Sequence, residues 1–111
     1  MKEIKRIETI EELDKALISK KAIIFKNSSR CPISAGVRMK YEDFASKCEK
    51  DVDFYLIDVI SLRNISEELS KRTNIRHESP QAIIIVNGKP VWNKSHYDIN
   101  TVTLTEAFSE L

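Results

Sequence analysis

The chain has 111 residues, with 18 Lys+Arg against 17 Asp+Glu and a formal net charge of +1. That length buries one core without disulfide or metal support, and so even a charge balance excludes non-specific nucleic-acid or membrane-surface binding as the main activity. Its two glycines, Gly36 and Gly88, leave neither a G-x-G-x-x-G turn nor a Walker phosphate loop, which excludes the usual nucleotide chemistries.

In chain order, the start Met1-Lys2-Glu3-Ile4-Lys5-Arg6 carries charges where a signal peptide needs an apolar core, and Ile4 to Ile7 is a weak strand candidate. Thr9 and Glu12 form an S/T-x-x-E capping box ahead of Leu13, Ala16 and Leu17 on one helical face. Ala22 to Phe25 is a continuous apolar run, as expected of a central strand covered on both faces. Asn27, Ser28 and Ser29 form a polar turn, and Arg30-Cys31-Pro32 leads into a long helix marked by Ile33, Val37, Tyr41, Phe44, Ala45 and Cys48. Phe54 to Ile57 reads as a second buried strand, with Asp58 at its end a candidate buried carboxylate. Ser61 to Arg72 carries Leu62, Ile65 and Leu69 on one helical face.

After Ser79-Pro80, the run Ala82 to Val86 is a third buried strand. It is far short of a membrane span. Asn87-Gly88 is a strong hairpin signal, with Val91-Trp92 returning. Leu104, Ala107, Phe108 and Leu111 mark a last helix, for which Thr103 and Glu106 offer a capping box. The order βαβαβαββα, alternating units followed by a hairpin, implies a single α/β domain over residues 1–111. Its mixed sheet of four to five strands is flanked by about four helices. Two cysteines in a lysine-rich chain make no disulfide framework, so the expected location is cytoplasmic, with both thiols reduced.

Cys31 is the informative residue. Pro32 suits the first turn of a helix, which puts the Cys31 sulfur beside unpaired backbone N–H groups and the positive end of the helix dipole. Both favour thiolate over thiol, and Arg30 adds a cation. The alternative, an inert buried cysteine, fits poorly with flanking Ser, Arg and Pro. Cys48 reads the other way, as a small hydrophobe on an apolar stripe. A helix joining the two cysteines separates them by about 25 Å, far beyond disulfide reach. Where a dithiol motif has its second cysteine stands Ser34, which can hydrogen-bond a thiolate but cannot form a disulfide. Any redox cycle within one chain is therefore monothiol. Two histidines and two cysteines without ligand spacing predict no metal site. Trp92 and Tyr97 are read as sheet-packing aromatics, and Lys20, Lys21, Arg72 and Arg76 as solvated charges.

The C-P-x-S helix start, the segment Asn74-Ile75-Arg76-His77-Glu78-Ser79-Pro80 before an apolar strand, and Asn87-Gly88-Lys89 resemble a thioredoxin. Ser28-Ser29-Arg30-Cys31-Pro32-Ile33-Ser34, His77-Glu78-Ser79-Pro80-Gln81 and Ser95-His96-Tyr97-Asp98-Ile99 narrow the resemblance to the monothiol bacilliredoxin C (YtxJ-type) general stress proteins of low-GC Gram-positive bacteria. Tyr97 departs from the tryptophan more common there. The resemblance spans nearly the whole chain and implies a thioredoxin-like fold. It also implies removal of bacillithiol from client proteins that carry it as a mixed disulfide, with bacillithiol as co-substrate and no cofactor. A low-molecular-weight thiol or a reductase would then recycle the protein. Under it Cys31 is catalytic, and Arg30, Pro32 and Ser34 stabilise the thiolate. Pro80 is a cis-proline facing Cys31, and Ser79 offers its backbone to an extended substrate segment. His77 either moves a proton at Cys31 or fixes its own loop, and His96 is structural or capping.

Two rivals remain. A monothiol glutaredoxin-like protein would use a C-x-x-S loop to hold a [2Fe-2S] cluster between subunits, with the other ligands external; colour in anaerobically purified protein would reveal it. A non-catalytic binding module would keep the fold and contact a partner through the Pro80 edge. The reactive reading expects rapid iodoacetamide alkylation of Cys31 at neutral pH, with Cys48 as the slow internal control. The binding module expects a Cys31 rate that rises only above about pH 8.

Overall fold

A computed structural model describes residues 2–111. Among these residues lie five strands and four α-helices: β1 (Ile4–Arg6), α1 (Ile10–Leu17), β2 (Lys21–Asn27), α2 (Pro32–Lys47), β3 (Asp53–Asp58), α3 (Arg63–Thr73), β4 (Gln81–Val86), β5 (Lys89–Ser95) and α4 (Thr101–Ser109), with a short 3-10 helix at His96–Asp98 before α4. The sheet order is β1-β3-β2-β4-β5. β3 pairs parallel with β1 and β2, whereas β4 pairs antiparallel with β2 and β5. This is the mixed sheet flanked by helices that the element order implies.

Strand alternation assigns each residue to one of two cores. Ile23, Phe25, Phe54, Leu56, Ala82 and Ile84 face α2 and α4, where they meet Val37, Tyr41, Ala45, Leu104 and Phe108. Ala22, Ile24, Tyr55, Ile57, Ile83 and Ile85 face α1 and α3, against Leu13, Ala16, Ile65 and Leu69. The first core is aromatic: Tyr41 stacks on Phe25 with centroids 4.7 Å apart, and Phe108 meets Phe44 edge-on at 4.8 Å. Tyr41 is fully buried, and its hydroxyl donates to Tyr55 O at 2.8 Å and more weakly to Ile23 O at 3.3 Å. α2 is thereby pinned across β2 and β3.

Local signals are mostly realised. Thr9 caps α1 by accepting from Glu12 N at 3.1 Å, while the Glu12 carboxylate takes the Glu8 N–H, one residue earlier than in the usual box. Asn87 (φ 50°) and Gly88 (φ 81°) make the left-handed β4–β5 turn. Four expectations need correction. Asn27 belongs to β2, because its carbonyl still accepts from Val59 N at 2.9 Å. Residues 61 and 62 precede α3, which starts at Arg63. Asp58 is half-buried, and its two oxygens hold Ile60 N and Ser61 Oγ in the following turn. α4 is capped by Asn100, and Thr103 is its third residue: Thr103 N donates to Asn100 Oδ1 and Asn100 N to Thr103 Oγ1. The box lies three residues earlier than the Thr103–Glu106 pair because Asn is as good a cap as Thr.

Removing the Tyr41 hydroxyl leaves a strand carbonyl short of its donor inside a packed core. Tyr41→Phe is expected to lower unfolding stability by about 1–2 kcal/mol, read as a fall in urea midpoint at unchanged m-value.

Candidate functional site

The candidate site lies where β2 ends and α2 begins. Cys31 is the N-cap of α2, with extended backbone (φ −104°, ψ 117°), and Pro32 occupies the first turn. The sulfur makes no side-chain capping bond, so it remains available for chemistry, and Cys31 is half-buried. Cys31 N donates to Ser28 O at 3.2 Å, closing a tight turn over residues 28–31. Ser34 is fully buried, and its Oγ accepts from Ser28 N at 3.2 Å, while its own N–H bonds Cys31 O at 3.0 Å. The hydrogen bond made by the Ser34 hydroxyl thus fixes the loop that presents Cys31. Cys48 is the C-cap at the other end of α2 and is buried in the aromatic core.

The opposing loop carries His77, Glu78, Ser79 and Pro80, and the Ser79–Pro80 bond is cis, as the family resemblance implies. A cavity of about 500 Å³ brings Arg30, His77 and Ser79 together with Val59 and Ile60, just after β3, and with residues of α3. His77 lies on the wall of this cavity. Its Nδ1 is 3.3 Å from Ser66 Oγ on α3, the loop-fixing alternative. Burial first, and then the positive charges of Lys26 and Arg63, lower its pKa, which keeps the ring neutral at pH 7. His96 adopts φ 55° at the start of the 3-10 helix, and its Nδ1 lies 3.8 Å from Glu78 Oε2. This contact lies between the end of β5 and the same loop. Tyr97 is exposed and Trp92 packs partly against the core.

One site residue escaped the reading of the sequence. Lys26, fully buried on the central strand, donates from Nζ to Gln81 Oε1 at 3.1 Å. That oxygen also accepts from Glu78 N at 3.3 Å, and Gln81 Nε2 donates to Arg76 O at 3.0 Å. The Lys26–Gln81 link therefore holds the whole 76–81 loop against β2. Burial lowers the Lys26 pKa to about 8, with Glu78 acting in the opposite direction. The available signal was a lysine interrupting a central apolar strand, opposite a glutamine in the next. Among the described residues, no group of three or more His, Cys, Asp or Glu side chains is placed to hold a metal ion. No helix of the described residues is long and apolar enough to cross a membrane.

Residues 2–104 match the family described as monothiol bacilliredoxin BrxC. A solved structure, provisionally described as an oxidoreductase with a thioredoxin fold, is 36% identical with TM-score 0.86, covering 95% of this chain and 93% of its own. The thioredoxin of Fasciola hepatica (19% identity, TM-score 0.77, 96% and 97% covered) and mitochondrial thioredoxin 3 of Saccharomyces cerevisiae in its oxidised form (16%, 0.78, 97% and 95%) share the fold. Family and fold together indicate a thioredoxin-like thiol oxidoreductase.

A buried lysine whose pKa is lower in the folded than in the unfolded chain makes folding release protons. Stability therefore rises as pH rises through about 8 toward the unfolded value near 10.4, and this gain is lost as pH falls again. Lys26→Met is expected to abolish this component. The difference between wild-type and variant unfolding free energies should change by about 1–2 kcal/mol between pH 7 and pH 9.5, measured by urea denaturation at both pH values.

Proposed function

The chain belongs to the monothiol bacilliredoxin family, and we propose that it removes bacillithiol from client proteins by thiol–disulfide exchange at the Cys31 sulfur. The observation that carries this reading is a single thiol at the N-cap of α2, with Ser34 in the resolving position and Cys48 at the far end of the same helix.

In the first step the Cys31 thiolate attacks the bacillithiol sulfur of the client's mixed disulfide. A new S–S bond forms between Cys31 and bacillithiol, the old one breaks, and the electron pair leaves on the client sulfur as thiolate. The client is reduced and the protein now carries the small thiol. In the second step an external thiolate, from a second bacillithiol or a reductase, attacks the bacillithiol sulfur of the adduct. It leaves as a disulfide with bacillithiol, and the Cys31 thiolate is restored. No metal, flavin or nucleotide takes part.

The chain's own groups serve this chemistry by position. Cys31 stands at the N-cap of α2, between Arg30 and Pro32, where the helix leads directly away from the sulfur. Ser34 holds the turn that carries it. The half-buried Ser79, on the cavity wall beside Arg30, offers its backbone to an extended segment of the client. His77, held neutral and bonded to Ser66, serves the loop rather than the proton inventory. The reading fits a reducing, cytoplasmic setting, in which general stress loads client thiols with bacillithiol.

Incubation with a bacillithiolated client is expected to give one bacillithiol adduct, localised to Cys31 by intact mass and peptide mapping. Cys31→Ser should abolish transfer, and Cys48→Ser should leave the transfer rate within about twofold, since that thiol lies far from the exchange. Absence of an adduct on Cys31 would overturn the proposal.

A further inference from the structure

The cavity of about 500 Å³ beside the Cys31 turn has the size of a small-molecule subsite. Arg30, the residue before the reactive cysteine, stands on one wall. Arg63, first residue of α3, stands on another, and Ser66, His77 and Ser79 contribute polar groups between them. Val59 and Ile60 supply an apolar lining. In a chain whose charges balance almost fully, two guanidiniums lining one cavity are a local excess of positive charge. The charges of the buried Lys26 and of Arg63 both reach the His77 ring and outweigh those of Glu67 and Glu78, which act in the opposite direction.

The opposing charge at the cavity is Glu67, one turn along α3. Its Oε1 lies 3.9 Å from Arg63 Nε, and the two side chains are 69% and 87% exposed. So long and exposed a pair contributes little, and the Arg63 fork can exchange it for a better-placed carboxylate with two parallel N–H···O bonds. Glu78, the other nearby acid, is turned toward His96. A neutral imidazole bonded to Ser66 adds a hydrogen-bonding wall without competing charge.

We propose that this cavity seats the carboxylate-bearing part of a low-molecular-weight thiol while its sulfur is exchanged at Cys31, and that Arg63 is the residue that selects anionic thiols over neutral ones. The proposal rests on the exchange reading above and adds a binding site to it. Arg30, the residue before Cys31 in the chain, lines the cavity together with Arg63, which puts the cavity next to the turn that carries the sulfur.

The test uses the full chain and one reporter peptide carrying either bacillithiol, which is anionic, or 2-mercaptoethanol, which is neutral, in mixed disulfide. Second-order rates of adduct transfer to Cys31 are followed by mass at low salt. The wild type is expected to prefer the anionic conjugate about tenfold, the size of one charge-assisted contact. Arg63→Gln should remove most of that preference, and Arg63→Lys should restore part of it. Added salt should also compress the ratio in the wild type. Arg38→Gln, on the exposed side of α2 and paired with Glu42, should leave the ratio as it is. A wild type that transfers both adducts without preference, or an Arg63→Gln protein with the wild-type ratio, overturns the subsite and leaves the exchange reading standing. A wild type that accepts neither adduct overturns both.

Discussion

One cross-strand pair holds together the two loops that make the candidate site. Lys26 and Gln81 are opposite each other at the last rung of the β2–β4 ladder. After Lys26 the chain runs through a tight turn to Cys31. Before Gln81 it runs through His77, Ser79 and Pro80. The Gln81 amide oxygen has two acceptor sites, and the Glu78 N–H at 3.3 Å fills only one of them, leaving the other to be answered. The Lys26 ammonium answers it at 3.1 Å and leaves the same amide able to take Glu78 N and give to Arg76 O. A lysine without exposed surface is costly. Here the cost is tied to the place where the two faces of a cleft must be kept in register.

The same strand explains why the cleft is rigid on its other side. β2 is hydrogen-bonded to β3 and β4 and covered by helices on both faces, so its C-terminal end is fixed on every side. Tyr41 then locks α2 to β2 and β3, and Ser34 locks the first turn of α2 to Ser28. Cys31 sits between Ser28 and Ser34, inside the second of these locks. Its freedom is that of a side chain on a fixed backbone, which is what exchange chemistry at one sulfur requires if attacking and leaving sulfurs are to align.

Much of this was legible in the residues. Apolar runs such as Ala22–Phe25 and Ala82–Val86 admit few elements other than buried strands, and Asn87-Gly88 allows little besides a hairpin. Cys31-Pro32 places a sulfur at a helix start through local chemistry alone. What stayed hidden depends on contacts between distant segments. Thr103 looked like a cap because cap signals are local, whereas the 3-10 turn at His96–Asp98 decides where α4 begins and gives Asn100 the role. The bond from Ser28 N to Ser34 Oγ could not be read from sequence, because Ser28, six residues earlier, folds back on Ser34 only in three dimensions. Lys26 lay just outside the apolar run Ala22–Phe25 and drew no reading, since its partner lies 55 residues away.

The position of Ser34 also changes what monothiol means for this chain. Read from sequence, Ser34 is a missing cysteine. In the fold its Oγ accepts the Ser28 N–H at 3.2 Å in a fully buried position, where a thiol, a weak acceptor, would leave that donor poorly satisfied. The serine removes the resolving sulfur and at the same time strengthens the turn that presents the attacking one. A dithiol site discharges its mixed disulfide internally, and its loop must allow the second sulfur to approach the first. A site that waits for an external thiol has no such need. Its loop can be held still, and the adduct persists long enough for a binding cavity beside it to matter. Under the proposed exchange, the held turn, the absent second thiol and the charged cavity lined by Arg30 would be parts of one arrangement, in which discrimination between small thiols takes the place of internal resolution.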